Sequence, residues 1–378
     1  MSPVFFEGVI MERKSLTQKK DVFSSVAEFF RQDLIRYIVN RILLFFPTIL
    51  LISIIIFFVI QLPPGDYVST AIAKLQQEGE DVSAETAQEM RESYGLDQPV
   101  IVQYGLWVKD IIWTGSNTTY YRLYNSHHNW KYSFSYQTNV WNVIGKYLPM
   151  TVTITLFTML LQYLIAIPVA VYSATHQYSV GDYAISILTF TGSAIPGFIF
   201  AILCMYMSFL WTGNANVGMF TQDMLLNGIN WGNFGEFMKR MTIPFIVFGF
   251  AGTCGTIRSV RAQMLDEISQ QYTLTARAKG GSERKIIWKY CFRAAINPTV
   301  TGLGTSLSHL FSGSTVTAMV LNLSILGPVL FHALQYQDMY LAGAIVMVQA
   351  ILVEVGVLLA DIGIAFLDPR IRYSGGSR

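Results

Sequence analysis

The chain has 378 residues, of which 52% are hydrophobic, 14% aromatic and 13% charged, with a formal net charge of +2. So little polar surface excludes an ordinary soluble protein and indicates a polytopic membrane protein. The near-neutral balance gives no electrostatic footprint for nucleic acid, so the position of the charges carries more information than their sum.

Residues 1–41 form a mostly polar N-terminal extension without a cleavable leader pattern, so the first span is expected to stay in the mature chain. Within it, Val22, Val26, Phe29, Phe30 and Ile35 fall near helical spacing. The stretch 22–36 reads either as an interfacial helix or as an extension of the first span. Six windows are apolar over about the 20 residues a span requires. They are 42–62, 148–174, 183–211, 242–257, 299–323 and 341–367, the fourth being short. The expected fold is all-α with six transmembrane helices. Residues 63–147 form an external segment, 148–367 a core transmembrane domain with a loop at 259–298, and 368–378 a tail.

In the external segment, Pro63, Pro64, Gly65 and Asp66 stop the first span, and 67–91 is a polar helical stretch. Residues 102–113 read as an amphipathic helix lying on the membrane, and 114–138 as a surface loop rich in Asn, Ser, Tyr and His. An even number of spans puts both termini on one side. Seven Lys and Arg precede residue 42, eight lie in 258–293 and three follow 367, against eight spread over the longer opposite loops. This bias places both termini and the 258–298 loop in the cytoplasm.

That loop carries seven basic and three acidic side chains over 261–298. Gly280 and Gly281 interrupt a helix-prone run, which predicts helix, tight turn, helix, with Ser282 placed to cap the second. Thr275, Ala276 and Ala278 are small enough for another surface to approach closely. Arg277, Lys279, Arg284, Lys285, Lys289 and Arg293 supply charge for acidic groups or lipid headgroups. On charge alone, the loop is better explained as a device that only fixes topology.

The string Thr275-Ala276-Arg277-Ala278-Lys279-Gly280, followed by a basic helix ending at Pro298, resembles the coupling loop of ABC-importer permeases in the dipeptide, oligopeptide and nickel branch. The resemblance extends along most of the chain. It includes the run from Leu34 to Leu44, Pro64-Gly65-Asp66, Tyr94-Gly95-Leu96-Asp97-Gln98-Pro99, Leu148-Pro149-Met150-Thr151, Ala194-Ile195-Pro196-Gly197-Phe198 and Asp368-Pro369-Arg370. The broader importer family places Glu-Ala-Ala four residues before glycine; here Leu274 stands at the Glu position, with Thr275 and Ala276 after it. The first 33 residues and 114–129 fall outside the usual pattern.

The resemblance implies a type I importer permease fold in a prokaryotic cell membrane. It further implies a second, different permease subunit, two cytoplasmic ATPase subunits and an external solute-binding protein, with lipid around the assembly. The ATPases would dock on Leu274, Thr275, Ala276, Arg277, Ala278, Lys279, Gly280 and Ser282. ATP and Mg would be bound by those partners, since the chain carries no Gly-x-x-x-x-Gly-Lys-Ser/Thr string. The implied cargo is a peptide or a similar solute such as an oligosaccharide or a metal chelate.

The fifth window is too polar to face lipid on every side, so Thr305, Ser308, His309 and Ser312 are candidates for the translocation path. Close helix packing through Gly and Ser accounts for the same composition. A Ser–His catalytic arrangement does not fit, because Ser306 and His309 share one helix and cannot build the hydrogen bond and oxyanion site. Glu354 and Asp361, seven apart on one helical face, define an alternative: a proton-coupled secondary transporter in which these carboxylates carry the proton. Asp361 is also close enough to the end of its span to pair with a basic group. His127 and His128 are adjacent with no further ligand cluster nearby, and Cys204, Cys254 and Cys291 show no paired spacing, so no metal or disulfide framework is expected.

Overall fold

The computed structural model describes residues 38–62, 98–112, most of 132–306 and 315–367, with isolated positions between 69 and 88. The expected helix at 22–36, most of the 67–91 stretch, the His127–His128 pair and the tail lie outside the described residues, as do Thr305, Ser308, His309 and Ser312.

Among the described residues the fold is all-α apart from one two-stranded ribbon. Helix α1 spans Ile38–Ile60; α2, Val100–Ile112, follows it. The ribbon, β1 (Tyr132–Ser133) and β2 (Thr138–Asn139), is antiparallel with Tyr132 opposite Asn139. Next come α3 (Val140–Thr175), α4 (Val180–Ala194), α5 (Gly197–Thr212), α6 (Gln222–Asn227) and α7 (Phe234–Ile268). Helix α8 (Gln271–Ala278) is followed by α9 (Glu283–Lys285), which runs through a π-helical stretch (Ile286–Cys291) into α10 (Phe292–Ala295). The chain continues with α11 (Asn297–Thr301), α12 (Thr315–Val320), α13 (Leu326–Gln335) and α14 (Met339–Leu367).

Among the described residues, α1, α3, α7 and α14 are each long and apolar enough to cross a membrane, and α4 with α5 forms a bent pair that passes the same test. Two expectations about the spans are corrected, and a third window is described only in part. The window 183–211 is not one helix: α4 and α5 meet at 109°. The cause is local. Pro196 lacks an N–H and excludes its predecessor from the helical region, so Ile195 is extended at ψ 123° and Pro196 becomes the first cap of α5. The window 242–257 is the middle of a 35-residue helix, because the polar ends 234–241 and 258–268 continue the helical repeat beyond the apolar stretch. The loop expected from 259 therefore begins about ten residues inside α7. Of 299–323, the described parts are α11 and α12 separated by undescribed residues, and α13 intervenes before α14.

The 102–113 helix exists, but its buried face rests on protein. Trp107 and Gln103 are buried, with Trp107 against Phe57 of α1 at 5.6 Å and beneath Gly343 of α14. The surface loop expected over 114–138 gives way at its end to the ribbon, whose Ser133 is fully buried. Ser133 Oγ and both Ser135 N and Oγ donate to Asp338 at 2.6, 3.0 and 2.8 Å, pinning the ribbon to the start of α14.

Buried residues form three clusters. At one end, the upper one, Phe57, Trp107, Ile144, Leu341 and Ile345 join α1, α2, α3 and α14. In the middle, Met219, Met241, Val247 and Ala201 join α5, α7 and the segment before α6. At the opposite, lower end, Ala166, Ala170 and Ala174 recur every fourth residue on α3 and let Val260 and Met264 of α7 approach closely. Ile286, Cys291 and Ala295 close the lower cluster from beneath, so the segment after Gly281 folds back onto α3 and α7.

Candidate functional site

The 258–298 segment stands at the lower end on this apolar base. After α7 ends at Ile268, two residues reverse the chain into α8. Thr273 is the buried anchor of α8: its Oγ1 donates to the Glu267 carbonyl at 2.9 Å and lies 3.5 Å from Cys291 Sγ. Tyr272 donates its hydroxyl to Glu267, and burial first, then that hydrogen bond, raises its phenol well above the ordinary range. Helix α8 ends in a left-handed turn. Gly280 has φ +76°, a conformation glycine adopts without strain, and Gly281 N–H returns to the Ala276 carbonyl at 3.1 Å.

With Thr273 held inward, the opposite face of α8 points away from the molecule. Leu274 is 48% exposed, and Thr275, Arg277, Ala278, Lys279, Gly280 and Ser282 are exposed beside it; Ala276 is half-buried. The structure thus brings the eight sequence-predicted residues together at one tip, with helix, turn and helix in the expected order. Two details differ. Ser282 has the extended backbone of a cap, but its side chain makes no capping hydrogen bond. Arg277 faces Glu283 across the turn, with Nε and Nη2 donating to its carboxylate at 2.9 and 3.3 Å, so its charge is already matched within the chain. Leu274 therefore gives the tip an apolar centre, rimmed by Lys279, Arg284 and Lys285.

Above the tip lies a polar cluster that the motif reading missed. Asp182, in the first turn of α4, is 3% exposed and accepts from four donors. Arg261 of α7 donates to both its oxygens, Nε to Oδ1 and Nη2 to Oδ2, each at 2.8 Å. Ser173, near the end of α3, donates to Oδ1, and the Tyr178 N–H donates to Oδ2 at 3.1 Å. Arg261 Nε also reaches Ser173 Oγ at 3.0 Å. A sequence signal was present: Ser179-x-x-Asp182 has the form of a helix-start capping box, and Ser179 Oγ does accept from Asp182 N–H at 3.2 Å. What the pattern lacks is any pointer to Arg261, 79 residues on.

The translocation-path candidates Thr305, Ser308, His309 and Ser312 lie outside the described residues. Their described neighbour Ser306 shares a hydrogen bond with Tyr163 of α3 at 3.2 Å, and Gly304 packs directly on Val357 of α14. Asp361 is in an ion pair with Arg41 of α1 at 3.1 Å. The pairing near the span end is as expected. Among the described residues no group of three or more His, Cys, Asp or Glu side chains is placed to hold a metal. The three cysteines are unpaired.

Two family profiles match the sequence. That described as "Binding-protein-dependent transport system inner membrane component" matches residues 166–373, and its N-terminal companion matches residues 34–155. The chain is 31% identical over 338 residues to the oligopeptide transport system permease protein AppB of Bacillus subtilis, covering 89% of this chain and 99% of that one. It is 26% identical over 356 residues to the dipeptide transport system permease protein DppB of Alkalihalophilus pseudofirmus, covering 90% and 100%. It is 27% identical over 381 residues to the inner membrane ABC transporter permease protein YejB of Escherichia coli O157:H7, covering 90% and 99%.

Proposed function

We propose, from the premise that this chain belongs to the family of inner membrane components of binding-protein-dependent transport systems, that it carries peptides across the membrane as one half of an ATP-driven permease pair. Membership replaces the proton-coupled alternative built on Glu354 and Asp361. Peptide cargo follows from the names of the relatives, which include oligopeptide and dipeptide permeases.

In this reading the lower end is cytoplasmic, as the basic bias of 258–293 requires. ATP and Mg are bound by two partner ATPases, a second and different permease completes the path, and an external solute-binding protein delivers the cargo at the upper end. Closure of the ATPases pushes on the Leu274 to Ser282 tip and switches the path between inward and outward access. The observation that carries the reading is the display of α8: Thr273 is locked inward while Leu274, Thr275 and Ala278 project on a rigid base.

The test is purification of the tagged chain from native membranes in mild detergent, with identification of its partners and an ATPase assay. Recovery with two ATPases and a distinct permease, together with ATP-dependent uptake of a labelled peptide, is the expected result. Recovery of the chain alone, with uptake abolished by collapse of the proton gradient and unaffected by ATP depletion, overturns the reading.

A further inference from the structure

The cluster around Asp182 joins three helices that elsewhere meet through apolar contacts, a Gln162–Thr256 hydrogen bond between α3 and α7 at 2.9 Å, and Arg258 of α7 over the Phe190 ring of α4 at 5.1 Å. Arg261 lies seven residues before the end of α7, roughly 10 Å along the axis from the start of the tip. Its guanidinium grips Asp182 through two nearly parallel N–H···O bonds, a geometry that fixes orientation as well as distance. Ser173 brings the end of α3 into the same grip. The Tyr178 N–H secures the connecting turn, where Tyr178 itself sits at φ +64°. Because Asp182 is buried, parting it from Arg261 would strand a desolvated charge, so the joint resists extension more than apolar packing does.

Helix α4 is tied to α7 a second time, near its other end. A methyl group at Gly192 would meet Cys254 Sγ at 2.6 Å and the Phe250 ring at 2.8 Å, so the two helices are in closest approach there. Four residues later the chain bends by 109° at Pro196. Helix α4 is thus held against α7 near both of its ends, and the bend lies immediately beyond the second tie.

We propose that Arg261 and Asp182 are positioning residues for the ATP-driven switch, making the lower ends of α3, α4 and α7 one block that carries displacement of α8 to the bend at Pro196. Without the grip, a push on α8 moves α3 and α7 through their shared apolar base and leaves the lower end of α4 behind. The inference rests on the docking role given to α8 above, and its test separates the two.

The test uses the assembled complex with its ATPases in lipid nanodiscs, in a background with Cys204, Cys254 and Cys291 replaced. Spin labels are placed at exposed Gln271→Cys, at the start of α8 and outside the eight docking residues, or Ile187→Cys on α4, each paired with a reference at exposed Leu334→Cys at the upper end. Distances are measured without nucleotide and with ATP, Mg and vanadate. In the parent both distances shift. In Asp182→Asn the α8 distance shifts as in the parent, while the α4 distance loses at least half of its shift. Parent-like shifts at both positions in Asp182→Asn, or equal loss at both, overturn the proposal. If Asp182→Asn does not assemble, Arg261→Lys, which keeps the charge and loses the fork, is read by the same criteria. A parent complex with no shift at Gln271 refutes the docking of α8 itself and the relay with it.

Discussion

Gly192 offers the most direct test of how tightly the α4–α7 block is built. In Gly192→Ala the new methyl would sit 2.6 Å from Cys254 Sγ and 2.8 and 2.9 Å from two carbons of Phe250. Favourable non-bonded carbon contacts begin at about 3.5 Å, so the helices must separate by roughly 0.7–1 Å or the ring must leave its place. Overpacking of this kind costs about 1–3 kcal/mol, and alanine recovers about 0.5–1 kcal/mol through its better helix propensity. The expected net loss is thus about 0–2.5 kcal/mol, centred near about 1 kcal/mol. Replacing Cys254 with Ala in the same chain removes the closest of the three contacts and leaves the ring. The double variant should therefore recover about 1 kcal/mol relative to the sum of the single losses. Reversible unfolding of the four proteins of this cycle in one detergent measures the interaction. Losses of the two single variants that add to within about 0.5 kcal/mol would refute the close approach and with it the second tie of α4 to α7.

Leu274 is half exposed, so burying the rest of its side chain against an ATPase contributes about 1 kcal/mol; Leu274→Ala should weaken ATPase association about fivefold in a titration, with unfolding of the isolated chain unchanged. Gly280→Val meets no atom within 4 Å, so its cost of about 1–2 kcal/mol is that of a left-handed backbone, and thermal unfolding of Gly280→Asn should fall between the two. Asp338→Ala removes the acceptor for Ser133, Ser135 and the Leu341 N–H; a loss of about 2–4 kcal/mol and faster proteolysis within 133–138 are expected, against parent-like cleavage if the ribbon is held otherwise. Glu283→Gln breaks an ion pair that is open to solvent, and stability should change by less than about 1 kcal/mol; a larger change would show that the pair holds the turn after α8.

The sequence by itself determined the membrane class, the all-α architecture and the position of the tip, because each rests on local composition or on neighbours a few residues apart. Apolar windows of span length, the Lys and Arg bias, and Gly280 after a helix-forming run are short-range signals. The bend at Pro196 was equally local, and it went unread because the apolar pattern continues across it. The true length of α7 was hidden for the converse reason: its ends are polar, and hydropathy marks where a helix meets lipid and not where its hydrogen-bond ladder stops. Only the tertiary structure decided which charges find each other. Arg277 turned to Glu283, six residues on, Arg41 to Asp361 across the fold, and Arg261 to Asp182 on a different helix. A carboxylate taken out of water must be matched by donors in the right geometry, and in a bundle those donors come from whichever helix packs alongside, a choice made by Ala166, Ala170, Val260 and Met264 fitting together.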